Sequence, residues 1–184
     1  MRDTKEKLSG LTIGLHWLVG LVMIGVFIVG KYMEINEAFF LYGPHKSIGI
    51  LILIAVVARI IWRMKNGWPE PVSNYKKAEQ IMAKLVHWIL IIGTVLFPVS
   101  GIMMSGAGGY GLDIFGLELL ANNPDPTNPM EMIPLNSTLA GIGHNMHSML
   151  GKVMIAALAL HVIGALKHHI IDKDNNLRRM LGRA

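Results

Sequence analysis

Cysteine is missing from this 184-residue sequence. Its absence excludes disulfides, thiolate metal sites, iron–sulfur clusters and cofactors attached through thioethers. Any metal that the chain binds must therefore be held by other side chains.

Charge is also scarce, since 16% of the residues are charged and 52% are apolar. Soluble domains carry roughly 25% charged residues. Uncharged runs of 23 and 28 residues lie between Lys7 and Lys31 and between Lys84 and Asp113. Both exceed the roughly 20 residues with which a helix crosses a bilayer, so the sequence predicts an integral membrane protein.

Four apolar segments are long enough to span a membrane. The first does not resemble a cleaved signal peptide, because it is long and has no convincing cleavage site before Lys31. We expect one all-α membrane domain over residues 1–184, a four-helix bundle with a long loop at 105–143 and spans at about 11–30, 42–62, 85–104 and 144–167.

The basic residues are distributed unevenly around these spans. The net charge of +5 therefore suggests a positive-inside bias rather than nucleic-acid binding, and it predicts that both termini are cytoplasmic. On the opposite side we expect only Lys31, Lys46 and Lys152. The other fourteen of the 17 are Arg2, Lys5, Lys7, Arg59, Arg63, Lys65, Lys76, Lys77, Lys84, Lys167, Lys173, Arg178, Arg179 and Arg183.

The eight histidines are the most informative residues, because ionisable side chains are rare within membrane spans. His147 and His161 lie 14 residues apart, which places them on one helix face about 21 Å apart along the axis. We expect His45 to face His147 (the outer pair) and His16 to face His161 (the inner pair). Two bis-histidine sites in a four-helix bundle match the axial ligation of two b-type haems.

Small residues follow each of these histidines by one helical turn: Gly20, Gly49, Gly151 and Ala165. They would let a flat macrocycle pass the helix. His87 is followed by Ile91 instead, which favours His16 as the inner partner.

Three cations lie near the predicted sites. Arg59 lies 14 residues after His45, so it would reach the depth of the inner pair and bind a haem propionate there. Lys46 and Lys152 would hold propionates or attract small anions. For each of the three, snorkelling to the membrane interface is the alternative.

Other interpretations of the histidines stay open. The sequence is also compatible with a proton relay or a transporter, and with a copper or zinc site formed by His45, His144 and His147. His144 is also an alternative to His147 as the outer ligand. For His87, helix packing and contact with a quinone are equally compatible with the sequence.

Nearly the whole chain resembles the bacterial dihaem cytochrome b561 family. The residues that carry the resemblance are Leu15-His16-Trp17, His45 with Gly49 and Arg59, His87 with Pro98-Val99-Ser100-Gly101, and His147 to His161 followed by Lys167-His168-His169 and Lys173-Asp174-Asn175.

The resemblance implies an inner-membrane electron-transfer protein with two haems b, held by His16 with His161 and by His45 with His147. It implies an oxidoreductase that passes electrons from a periplasmic donor, superoxide in the best-known case, to ubiquinone. The alternative is a haem-bearing anchor subunit that serves a separate dehydrogenase or reductase and has no substrate of its own.

Overall fold

Long α-helices make up most of the molecule. The computed structural model describes residues 3–4, 6–69 and 71–183. Its elements are α1 (Gly10–Asn36), a single 3-10 turn (Phe39–Leu41), α2 (Tyr42–Asn66), α3 (Lys77–Ala107), the strands β1 (Leu112–Ile114) and β2 (Leu117–Leu120), α4 (Ser137–Ile170) and the short α5 (Asn176–Met180).

Within the described residues, four helices are long and apolar enough to cross a membrane, as predicted. They extend beyond the apolar segments read from the sequence, most clearly in α3 and α4. The reason is that a helix continues into the polar interface until a capping signal ends it. Arg2 and Lys5, used in the charge argument, lie outside the described residues.

Helix boundaries coincide with capping residues. The Ser9 side chain accepts a hydrogen bond from the Thr12 amide and begins α1, and Asn136 does the same for α4 through the Leu139 amide. At the other end of α1, Glu37 adopts a left-handed conformation with φ of 51°, and its amide bonds to the Met33 carbonyl.

Helix α4 packs mainly against α3, and α1 packs against α2. Glycines allow the close approach of α3 and α4, because a Cβ on Gly143 would lie 2.6 Å from the Met104 amide nitrogen. Val19, Ile52 and Val56 form a small core between α1 and α2. Most other large apolar side chains of these helices are exposed, as expected for helices that face lipid.

The connection after α3 is more ordered than the predicted loop at 105–143. Residues 105–107 complete α3, α4 already begins at Ser137, and β1 and β2 form an antiparallel hairpin between them. The Ser47 hydroxyl donates to the Asp113 carbonyl at 3.2 Å and accepts from the Phe115 amide at 3.0 Å. This contact holds the hairpin on the start of α2.

The N-terminal segment around Asp3 and the C-terminal segment up to Arg183 lie at the opposite end of the bundle from the hairpin. The Trp17 indole donates to the Met180 carbonyl at 2.8 Å, which ties α5 to α1. Nearby, the Tyr75 hydroxyl donates to the Asp174 carboxylate. Burial and this hydrogen bond raise the pKa of Tyr75 above its usual range.

Asp3 joins the N-terminal segment to α1 and α2. Its carboxylate, 3% exposed, accepts from the Ser9 amide and the Thr12 hydroxyl and forms a 3.1 Å ion pair with Arg63. Burial alone would raise its pKa, but the hydrogen bonds and the ion pair outweigh burial and lower the pKa to about 2.

We predict that Asp3→Asn destabilises this end of the bundle. A carboxyl whose pKa falls from 3.8 to about 2 on folding contributes about 2 kcal/mol above pH 4, and loses it as the pH falls through 2. Thermal unfolding in detergent at pH 7 should show a melting temperature lower by roughly 4–8 °C. Glu6→Gln, in the same segment, is the control, and an equal loss in both variants would contradict the role given to Asp3.

Candidate functional site

The inner pair comes together between α1 and α4. The ring centroids of His16 and His161 are 6.1 Å apart, with an angle of 53° between the planes. A third imidazole, His87 of α3, lies 5.2 Å from His161 and meets it edge-on. The structure thus joins the two histidines that the sequence paired, and adds His87 beside them.

Arg59 of α2 completes the inner group. Its Nη2 lies 3.2 Å from Nδ1 of His16. Because a guanidinium can only donate, Nδ1 of His16 is the acceptor in this contact. A metal bound through Nε2 of His16 would require the proton on Nδ1, so Arg59 would then have to exchange this contact for another acceptor.

The outer pair comes together between α2 and α4. The rings of His45 and His147 are 6.4 Å apart and nearly perpendicular. His144 lies one turn earlier on α4 and is exposed. Nδ1 of His45 is buried and has no hydrogen-bond partner among the described residues.

Helix α3 orients His147. The Phe97 carbonyl lies 3.0 Å from Nδ1 of His147, and the buried Ser100 hydroxyl lies 3.0 Å from the same atom. The Phe97 ring also stacks on the imidazole at 4.2 Å. Because a carbonyl can only accept, Nδ1 carries the proton and Nε2 keeps its lone pair, which is the tautomer that binds a metal through Nε2.

Two glycines make room for the outer pair. A Cβ on Gly30 would lie 3.1 Å from Cε1 of His45, and one on Gly101 would lie 3.3 Å from Cε1 of His147. Gly101 and Ser100 entered the sequence analysis only as part of the family resemblance, without a role, and Gly30 and Phe97 were not predicted at all. A signal for the glycines was present, because Gly30 follows His16, and Gly101 follows His87, by the same 14 residues that separate His147 from His161.

Both pairs have the spacing of two imidazoles on opposite sides of one metal. With metal–nitrogen bonds of about 2 Å and roughly 1.1 Å from nitrogen to ring centre, the centroids of such a pair lie about 6.2 Å apart. The observed distances are 6.1 and 6.4 Å. Within the part of the chain that the structure describes, no three histidine, aspartate or glutamate side chains converge on a single ion site.

The chain also matches the model of a known protein family. The family model described as prokaryotic cytochrome b561 matches residues 7–183. The chain belongs to the prokaryotic cytochrome b561 family. It is therefore an integral membrane electron-transfer protein of a family that carries b-type haem.

Three relatives match nearly the whole chain. "Cytochrome b561 homolog 2" of Escherichia coli K12 is 28% identical, over 99% of this chain and 95% of that protein. A Yersinia pestis protein named "Probable superoxide oxidase CybB" is 30% identical, over 96% of each. "Cytochrome b561 homolog 1" of Escherichia coli K12 is 24% identical, over 97% of this chain and 98% of that protein.

The residues fit a b-type haem. A Cβ on Gly20 or Gly49 would meet no atom within 4 Å, so the helix surface beside His16 and His45 is open to a flat ring. At Gly151 a Cβ would meet the rings of Phe27 and Phe97 at 3.8 Å, which is ordinary contact.

The remaining candidates lie at the edges of the bundle. Lys46 donates to the carbonyls of Tyr110 at 2.9 Å and Gly111 at 3.3 Å, so it also fastens the hairpin connection. Lys152 is exposed on α4. His87 is exposed, and its Nδ1 donates to the Ala83 carbonyl at 2.7 Å, which leaves Nε2 free as an acceptor.

We predict that Gly30→Val disturbs the outer pair. A branched side chain at this position would press on the His45 ring, because even a Cβ would lie 3.1 Å from it. The haem content per chain of the purified protein, measured as pyridine haemochrome, should fall. Gly25→Val, on the same helix where a Cβ meets nothing within 4 Å, is the control and should retain full haem content. Equal haem content in the two variants would contradict this packing.

Proposed function

We propose that this chain transfers electrons from a periplasmic donor, with superoxide as the best candidate, to membrane ubiquinone through two haems b. His16 and His161 would hold the inner iron, and His45 and His147 the outer iron. The observation that supports this most strongly is the pair of facing imidazoles at each level, 6.1 and 6.4 Å apart. We further propose that the chain forms one membrane domain.

When bound, haem b supplies a one-electron redox couple in each half of the membrane. The protein would contribute imidazole nitrogens that hold the group, a dry environment and fixed orientation. His147 is already oriented for this role by the Phe97 carbonyl and by Ser100. Arg59 would turn from Nδ1 of His16 to a propionate carboxylate, a stronger acceptor for a guanidinium.

The overall reaction balances with two molecules of superoxide per quinone. Each superoxide gives up one electron and leaves as dioxygen, and ubiquinone takes up two electrons and two protons to become ubiquinol. The printed name of the Yersinia pestis relative, "Probable superoxide oxidase CybB", supports superoxide as the donor. Lys46 and Lys152 would raise the local concentration of this anion near the outer pair.

The end of the bundle that carries the inner pair suggests where the quinone binds and how the protein is oriented in the membrane. We propose that both termini face the cytoplasm of a bacterial inner membrane. Fourteen of the 17 basic residues lie in the two terminal segments and around the connection between α2 and α3, and basic residues are enriched on the cytoplasmic side. His87 would contact the quinone, since its exposed Nε2 is an acceptor beside the inner pair.

We predict that His161→Ala removes the inner haem and leaves the outer one. The substitution deletes one of two axial imidazoles at that level and touches no residue of the outer pair. Haem counting with reduced-minus-oxidised spectra should give one haem per chain instead of two.

His144→Ala is the matched control, because it removes an exposed histidine from the same helix, and it should keep two haems. Two haems in His161→Ala would show that the ligand pairing is wrong. A colourless wild-type protein would contradict the whole proposal.

We also predict that superoxide reduces the oxidised protein in rapid mixing, and that the rate falls with ionic strength. Lys152→Gln should slow the reaction. Lys31→Gln is the control, because Lys31 is already paired with Glu34 at 2.6 Å. No reduction of a protein that carries both haems would favour the alternative, an anchor subunit that exchanges electrons with a separate dehydrogenase or reductase.

A further inference from the structure

A cleft of about 380 Å³ lies beside the C-terminal segment, at the end of the bundle away from the hairpin. His169 from the last turn of α4, Arg178 from α5, Leu181 and Arg183 line it. The cleft belongs to neither histidine pair, and the electron-transfer chemistry proposed above does not use it. Its volume lies in the range of pockets that hold small ligands.

The lining of the cleft has unpaired hydrogen-bond donors. Within the described ranges, neither Arg178 nor Arg183 has an ion-pair or hydrogen-bond partner for its guanidinium. Nδ1 of His169 is buried and also has no partner. Two guanidinium forks that line one space suit an oxyanion with several acceptor oxygens, and phosphate is the common one.

Among the described residues, neither Asp172 nor Asp174 forms an ion pair with Arg178 or Arg183, and both accept hydrogen bonds from other residues. Asp172 accepts from Lys167 at 2.8 Å and from His168 at 2.7 Å. Asp174 accepts from Tyr75 and from the Asn176 amide. The N–H donors of the two guanidinium groups are therefore not taken up by these carboxylates.

Exposed apolar side chains surround the cleft. Ile170 and Ile171, directly after His169, are 64% and 70% exposed, and Leu181 in the lining is 47% exposed. Here α4 leaves its apolar segment, so these side chains lie at the depth where acyl chains meet headgroups. A ligand with a phosphate and a hydrocarbon tail would contact both the arginines and the exposed apolar side chains. Inorganic phosphate would contact only the arginines.

We propose that this cleft binds the phosphodiester headgroup of an anionic phospholipid. Arg178 and Arg183 hold the phosphate oxygens, the His169 ring lines the cleft beside them, and the acyl chains lie against Ile170 and Ile171. The bound lipid fastens the C-terminal segment to the end of α4, in addition to the hydrogen bond from Trp17 to Met180.

The test uses the full-length, haem-loaded protein in a nonionic detergent. Phosphatidylglycerol and phosphatidylcholine with the same acyl chains are added in turn, and bound lipid is counted by native mass spectrometry. Wild-type protein should retain phosphatidylglycerol in preference to phosphatidylcholine. The double variant Arg178→Gln and Arg183→Gln should bind phosphatidylglycerol about tenfold more weakly or worse, because each lost charged contact costs roughly tenfold.

The matched control removes the same charge from the same end of the bundle. Lys65→Gln with Lys77→Gln changes two exposed lysines outside the cleft, and it should bind phosphatidylglycerol as the wild type does. Equal weakening in the two double variants would show general attraction of anions and overturn the proposal. The visible spectrum of the bound haem checks that each variant is folded.

Adding inorganic phosphate distinguishes a lipid headgroup from a free phosphate ion as the ligand of the cleft. Millimolar phosphate should leave bound phosphatidylglycerol in place, because it lacks the apolar half of the ligand. Displacement of the lipid by phosphate alone would assign the cleft to a free anion and overturn the lipid proposal. If the arginine variants do not fold, wild-type protein with no preference between the two lipids would still refute it.

Discussion

An imidazole inside an apolar bundle is costly unless its ring nitrogens find partners, because hydrocarbon offers no water to replace a missing hydrogen bond. Helix α4 carries two such rings, His147 and His161, on one face. Each meets an imidazole of another helix, at 6.4 and 6.1 Å. The pairing places one histidine of α1 and one of α2 opposite α4, and the two levels of the bundle are chemically alike.

The rest of the fold is consistent with keeping that face of α4 accessible. Helix α4 packs closely on α3, where Gly143 lets the backbones approach, and less on α1 and α2. The hairpin is fixed to α2 through Ser47 and Lys46, and the termini are joined to the opposite end through Asp3, Trp17 and Tyr75. The four helices therefore meet at defined levels, although much of their apolar surface faces lipid.

Periodicity explains why much of the candidate site could be predicted from the chain alone. A helix repeats its direction after 14 residues to within about 40°, so His147 and His161 had to share a face, and His16 and His45 were at matching depths. The same interval links His45 to Arg59 and His16 to Gly30. The contact of His147 with the Phe97 carbonyl on α3 could not be predicted. Every residue has a backbone carbonyl, so the sequence does not indicate which one accepts a hydrogen bond from His147.

The sequence by itself determined the membrane class, four spans and the identity of the paired histidines, because these depend on length, apolar content and a fixed helical rise. Only the tertiary structure decided which ring nitrogen each histidine presents. That depends on which donor or acceptor a neighbouring helix brings within about 3 Å: the Phe97 carbonyl for His147, and the Arg59 guanidinium for His16. The cleft of Arg178 and Arg183 likewise exists only because the chain after α4 folds back onto the bundle.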